Sequence, residues 1–145
     1  MNLTIKDCLN EFNNPINTKR VCYICNTVSQ LMVRRTIFSA SNILVFILNR
    51  FNKEEDEEMK RIKFEYEDFL DMTNYIENNS QQINMKYILI GVVSFSFKEK
   101  KFVAFCKNLL SYKWTCFADE NVFECNFEQI INGSTPYLLF YKKFE

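Results

Sequence analysis

The chain contains no histidine. That absence removes the Ser-His-Asp and Cys-His catalytic arrangements, the HExxH zinc motif and any imidazole general base from the polypeptide. Glycine is nearly as scarce, with Gly91 and Gly133 alone. A P-loop and a GxGxxG dinucleotide turn each need several glycines close together, so both are excluded. Charge of one sign is also missing: 18 basic side chains balance 18 acidic ones. With no global field to draw in a phosphate backbone, a general nucleic-acid-coating role is disfavoured. No apolar run approaches the roughly 20 residues that span a bilayer. The longest clean one, residues 43–48, is strand-sized, and the first residues lack the basic and apolar regions of a signal peptide.

What is present describes a globular domain. The 145 residues are 48% hydrophobic and include 15 Phe and 7 Tyr, enough to bury one core without staples. Six cysteines are sparse for a secreted disulfide scaffold of this length. Free or metal-bound thiols in a reducing compartment are the better expectation, which places the chain inside the cell, in cytoplasm or nucleus.

The pattern predicts a short helix over residues 4–12. Thr4 caps it, Asp7 stands at the capping-box position, and Ile5, Cys8, Leu9 and Phe12 share a face. Strands are expected at 21–25 and 31–38. The continuous apolar run 43–48 reads as a strand buried on both faces, in the middle of a sheet. The charge run 53–58 and the polar stretch 77–82 read as loops. Residues 62–66 alternate like a strand, and 69–76 suit a short helical turn. Further strands are expected at 87–97, 102–107, 114–117 and 137–141, with a helical turn at 127–131 before Asn132-Gly133. The fold class is α+β, one domain on a mostly antiparallel twisted sheet with a few short helices.

Four segments, in order, carry a family resemblance. The first is Asp7-Cys8-Leu9-Asn10-Glu11-Phe12, followed by the CxxC of Cys22-Tyr23-Ile24-Cys25. The second is residues 43–51, ending Leu48-Asn49-Arg50-Phe51. The third joins 87–93, 102–107 and Trp114-Thr115-Cys116-Phe117. The last is Pro136-Tyr137-Leu138-Leu139-Phe140-Tyr141-Lys142. Together they resemble the C-terminal half of a ubiquitin-specific protease, the cysteine-protease family of deubiquitinases. The resemblance implies the palm half of a papain-like cysteine protease. Residues 1–38 would be a helix and a fingers remnant, and 39–145 the palm sheet.

The departures from the family pattern decide the functional expectation. Lys101 stands where the resemblance puts the general-base histidine, and Ala118, 17 residues further on, where it puts the orienting Asp or Asn. Asp119 is the neighbouring acidic residue of that motif. A lysine of ordinary pKa stays protonated at neutral pH and accepts no proton from a thiol. The family's cysteine box has no counterpart in these residues. The expectation is therefore a pseudoenzyme, with no hydrolase activity. Cys22 and Cys25 make half of a tetrahedral zinc site and would hold zinc only with ligands from a partner, so no cofactor is expected. Cys106, Cys116 and Cys125 read as small core hydrophobes.

Lys98, Lys100, Lys101, Phe102, Lys107, Lys113 and Trp114 interleave cations and rings, the pattern of a binding surface. Simple strand alternation, Phe inward and Lys outward, accounts for each residue taken singly. The reading that follows is a catalytically inactive deubiquitinase-like module that binds a protein partner or joins a larger assembly, with ubiquitin or a ubiquitin-like fold as candidate ligand. The alternative is an inhibitory or dormancy-type factor on a ribonucleoprotein such as the ribosome. Net neutrality disfavours RNA, and no membrane partner is expected.

Overall fold

The computed structural model describes residues 2–49, 63–77, 85–96, 99–133 and 135–144. In chain order the elements are β1 (Asn2–Thr4), α1 (Ile5–Asn13), β2 (Ile16–Val21), β3 (Val28–Val33), β4 (Ile43–Ile47), β5 (Lys63–Glu65) and β6 (Phe69–Asp71). A 3-10 turn at Thr73–Tyr75 follows, then β7 (Lys86–Ser96), β8 (Lys101–Lys107), β9 (Trp114–Ala118), β10 (Asn121–Cys125), α2 (Phe127–Gly133) and β11 (Thr135–Lys143). The charge run 53–58, residues 78–82 of the polar stretch and Lys98 lie outside the described residues.

The main sheet has seven strands in the order β10-β9-β8-β7-β11-β4, with β6 also paired to β7, and every pairing in it is antiparallel. β1 and β5 pair in parallel beside it, and β2 and β3 form a hairpin sheet of their own. The fold class expected from the sequence is the one observed.

The two faces of the main sheet differ because strand side chains alternate. On one face Tyr87, Leu89 and Val92 of β7 and Leu139 and Tyr141 of β11 meet Ile5 and Leu9 of α1, Ile130 of α2, and Phe64, Leu70 and Met72. Trp114 closes this core by stacking on Phe127, centroids 5.9 Å apart. Two buried phenols find acceptors: Tyr141 donates to the Glu67 carbonyl at 2.7 Å and Tyr87 to the Ser41 carbonyl at 2.9 Å. The register puts Val122, Phe117, Ala104 and Val93 in one row on the other face, and pairs Leu138 with Ile47 and Phe140 with Val45 there. That face is open at both ends: Val122, Phe117, Phe102, Val45 and Ile47 are exposed.

α1 forms as its cap predicts. The Thr4 hydroxyl accepts from the Asp7 N–H at 3.1 Å, and the Asp7 carboxylate accepts from the Thr4 N–H at 2.9 Å. Its buried side is narrower than expected, since Ile5 and Leu9 are buried but Cys8 and Phe12 are exposed.

Several sequence expectations are corrected. Among the described residues β4 is an edge strand, not a central one: β11 pairs with one side of it, and Ile43, Val45 and Ile47 are exposed. Apolar content alone cannot distinguish a covered face from an open one. Cys22 and Cys25 belong to the turn between β2 and β3, not to a strand. Residues 69–71 are a strand because β7 offers them a partner edge. β10 continues the sheet from Ala118 through a two-residue turn, a pairing its polar Asn121 and Glu124 concealed.

Leu139 is fully buried, so Leu139→Ala is expected to cost about 2–5 kcal/mol in denaturant unfolding, through a cavity beside β7. The Thr4 hydroxyl and backbone N–H hold the Asp7 carboxyl below its usual value near 3.8. Its contribution is present above that value and lost as pH falls through the lower folded value. Asp7→Asn should weaken the acid dependence of the unfolding midpoint in that window.

Candidate functional site

Two antiparallel connections converge on one end of the core face. β7 turns into β8 so that Ser96 pairs with Lys101, and β8 turns into β9 so that Ala104 pairs with Phe117. Position 101, the first residue of β8, therefore meets positions 118 and 119 at the end of β9. The residues beside them, Lys100 and Asp119, both sit in the left-handed region at φ 54°. An Asp tolerates that backbone better than a Lys.

The Lys101 ammonium lies between two carboxylates, 2.9 Å from Glu99 Oε2 and 3.0 Å from Asp119 Oδ2. Hydrogen bonds to Glu99 and then Asp119 raise its pKa above the usual lysine value. Lys101, Ala118, Glu99, Ser94, Phe105 and Cys116 line a cleft of about 460 Å³. The Cys116 thiol is buried, and burial pushes its pKa up. It is a thiol rather than a thiolate at neutral pH, and so a poor nucleophile. Ala118 offers no side-chain acceptor or donor. The two positions singled out by the sequence are thus together, and what they build is a charge-paired cation above an apolar floor. Sequence reasoning missed Glu99, whose only signal was its place two residues before Lys101, and it missed Cys116 as part of the cleft.

The proposed patch does not form one surface. Lys107 is turned inward, its side chain 4% exposed, with its ammonium 2.6 Å from Asp68 Oδ2. It lies 5.9 Å from the Phe69 centroid and 5.6 Å from those of Tyr112 and Trp114, within cation–π range. Trp114 is a core residue. Lys113 pairs with Glu124 at 2.9 Å, and Lys100 is exposed at its turn. Phe102 is half exposed on the open face, where it meets Phe95 and Tyr137 at 5.0 and 5.5 Å between centroids. Simple alternation is here reversed: Lys101 and Lys107 share the core side of β8 with Val103 and Phe105, and Phe102 points out. Asp68, which makes the inward lysine tolerable, is distant in sequence and gave no signal. Cys106, expected in the core, is exposed because it follows Phe102 and Ala104 on the open face, whereas Cys116 is buried.

Cys22 and Cys25 lie on the β2–β3 turn, closed by the Cys22 N–H to the Thr27 carbonyl at 2.9 Å and the Asn26 N–H to the Cys22 carbonyl at 2.8 Å. The Cys25 thiol is 2.9 Å from the Thr27 hydroxyl, which lowers its pKa. Two thiols are half of what a structural zinc needs. Among the described residues no group of three or more His, Cys, Asp or Glu side chains converges on a common point. The residues present do not by themselves fit a zinc ion.

A model of the ubiquitin carboxyl-terminal hydrolase family matches residues 4–141. The chain belongs to the ubiquitin carboxyl-terminal hydrolase family. Its structure is similar to chains of solved deubiquitinating modules from this family's setting. One is in the SAGA Ubp8/Sgf11/Sus1/Sgf73 module bound to ubiquitin aldehyde, at TM-score 0.79 and 24% identity over 99% of this chain. Another is in a form of that module with Sgf11 lacking its zinc finger, at TM-score 0.78 and 27% identity. A third is in the yeast module with an Sgf73 mutant, at TM-score 0.76 and 27% identity. This hydrolase-family chain spans about a third of each of those chains, 34–35% of their length. Among its described residues no helix is long and apolar enough to cross a membrane.

Two measurements check the charges. Asp119→Asn should bring the Lys101 amine, followed by side-chain NMR, down toward the usual lysine value while leaving it protonated at neutral pH. Lys107→Met leaves Asp68 without its ammonium in a partly buried place and should cost about 1–3 kcal/mol of unfolding free energy.

Proposed function

We propose that this chain is a catalytically inactive member of its family, a binding or structural module that joins a larger assembly and recognises ubiquitin or a ubiquitin-like fold without cleaving it. The observation that supports this most is the Lys101 ammonium fixed between Glu99 and Asp119 beside Ala118. A general base must be free to accept a proton near neutral pH. This group is held in its protonated form by two carboxylates, and nothing at position 118 could orient an imidazole in its place. The thiol that lines the same cleft, Cys116, is itself held neutral by burial. The similar modules bound to ubiquitin aldehyde and monoubiquitin make ubiquitin the first ligand to test. An intracellular site of action, in cytoplasm or nucleus, belongs to the same proposal, as does the absence of a resident zinc unless a partner completes the Cys22 and Cys25 pair. The ribonucleoprotein alternative rested on free lysines. Carboxylates pair with Lys101, Lys107 and Lys113, which weighs against that reading.

Incubation with a ubiquitin probe bearing a cysteine-reactive C-terminal group should give no covalent adduct. An adduct at any of the six cysteines would overturn the inactive assignment. Titration with free ubiquitin should give saturable binding, and none up to millimolar concentration would leave only the structural role.

A further inference from the structure

Among the described residues β4 leaves one edge of the main sheet open. Two hydrogen bonds bracket its pairing with β11: the Lys143 N–H donates to the Asn42 carbonyl at 2.7 Å, and the Leu48 N–H to the Tyr137 carbonyl at 2.9 Å. Antiparallel pairing alternates residues whose backbone groups face the neighbouring strand with residues whose groups face away. With Phe46 opposite Leu139 and Leu44 opposite Tyr141, the even-numbered residues direct theirs at β11. The N–H and C=O groups of Ile43, Val45 and Ile47 point out of the sheet, and the Ser41 hydroxyl donates to the Ile43 carbonyl. An open edge invites another strand, and sheets ordinarily guard it with a lysine, a proline or a bulge. β4 carries no such guard. Residues 42–49 hold no charged residue and no proline, and the register with β11 runs unbroken from Ile43 to Ile47. The opposite edge strand, β10, does carry a charge, Glu124, ion-paired with Lys113. The outward residues of β4 also expose their side chains, Ile43 by 42%, Val45 by 50% and Ile47 by 68%. On its other face Leu44 and Phe46 line an open groove of about 430 Å³ with Ile37, Ala40 and Met72.

We propose that β4 pairs with β4 of a second copy of this chain, antiparallel about a two-fold axis at Val45, so that two copies share one continuous sheet. The free backbone groups select the register. Centred on Val45, the pairing exchanges hydrogen bonds between Val45 and Val45 of the second copy, and between Ile43 of each copy and Ile47 of the other. A centre one residue away would set Ile43 or Ile47 against residues beyond the strand. A two-fold joint uses the same patch on both copies, and this patch suits itself. Aliphatic side chains meet aliphatic side chains on the open face. On the other face Leu44 of each copy meets Phe46 of the other beside the groove. No like charges meet within the joint, because the strand holds none. In sequence Arg34 and Arg35 precede it, while Arg50, Lys53 and the acidic run 54–58 follow it. An antiparallel two-fold sends like flanks to opposite ends of the joint. A lipid surface would leave the outward N–H and C=O groups unpaired, whereas an added strand pairs them. Assembly closes at two copies, since the outer edges of the joined sheet are then β10 strands with Glu124 on them. The contact is independent of ubiquitin recognition, and its test contains no ubiquitin.

Sedimentation of the full chain from about 1 μM to about 1 mM should show a monomer–dimer equilibrium and nothing larger. Amide hydrogen exchange on the same samples should slow at Val45 and Ile47 as concentration rises, with Val122 of β10 unchanged. Because Val45 lies on the axis, Val45→Lys sets like charges against each other and should weaken association about tenfold or more. Val45→Glu should do the same. Mixing the two variants sets unlike charges opposite each other and should restore association, which a misfolded variant could not do. Val122→Lys at the other edge should have no effect. A dimer that Val45→Lys leaves intact, or a mixture that associates no better than either variant, would overturn the proposal. So would a monomer at every concentration: slow exchange at Val45 and Ile47 would then assign the edge to the chain's own residues, and fast exchange would leave it to a strand of another protein.

Discussion

The pairing of β7 along both its edges is the constraint on which the remainder depends. Its 11 residues are bonded to β11 on one side and to β8 and β6 on the other. Alternation, shifted by one residue at the irregularity opposite Phe140 and Tyr141, sends Tyr87, Leu89 and Val92 into the same core as Leu139 and Tyr141. Slipping this strand by one residue would turn all of those side chains to the open face and expose the core. The registers of β8, β9 and β10 are then transmitted outward from β7, each by an antiparallel connection. The meeting of positions 101 and 118 is a consequence of that chain of registers, with no local cause of its own.

Electrostatics at the cleft and beside β9 follow one rule, in which each inward or half-covered cation is matched by a carboxylate. Lys101 has Glu99 and Asp119, and Lys107 has Asp68 with three rings around it. A lysine placed 4% exposed without such a partner would have to lose its charge or its position. With the partner present, the ammonium is held in an ion pair. The same pairing that makes these lysines structurally acceptable satisfies their charge within the fold. The β2–β3 hairpin differs because Lys19 and Arg20 are exposed and unmatched by described carboxylates.

Much of the strand plan was legible because period-2 alternation is strong in 87–97, 102–107 and 137–141, and the α1 cap was legible because Thr4 and Asp7 have the required spacing. Positions 101 and 118 were singled out through the family resemblance, and the sheet registers bring them to one cleft. What escaped was everything set by a neighbour distant in sequence. β4 reads as a central strand until its second edge is seen to lack a partner among the described residues. Phe102 reads as core until the register places it on the open face. Lys107 reads as surface until Asp68, 39 residues away, is found against it.

The sequence by itself determined one point of chemistry: with no histidine among its 145 residues, no arrangement of them supplies an imidazole. It also determined the local elements, since alternation and capping act between residues a few positions apart. Only the tertiary structure decided which charges are spent within the fold and which remain outside it. The reason is that an ion pair forms between whichever groups the strand registers bring to about 3 Å, and register is a property of the assembled sheet.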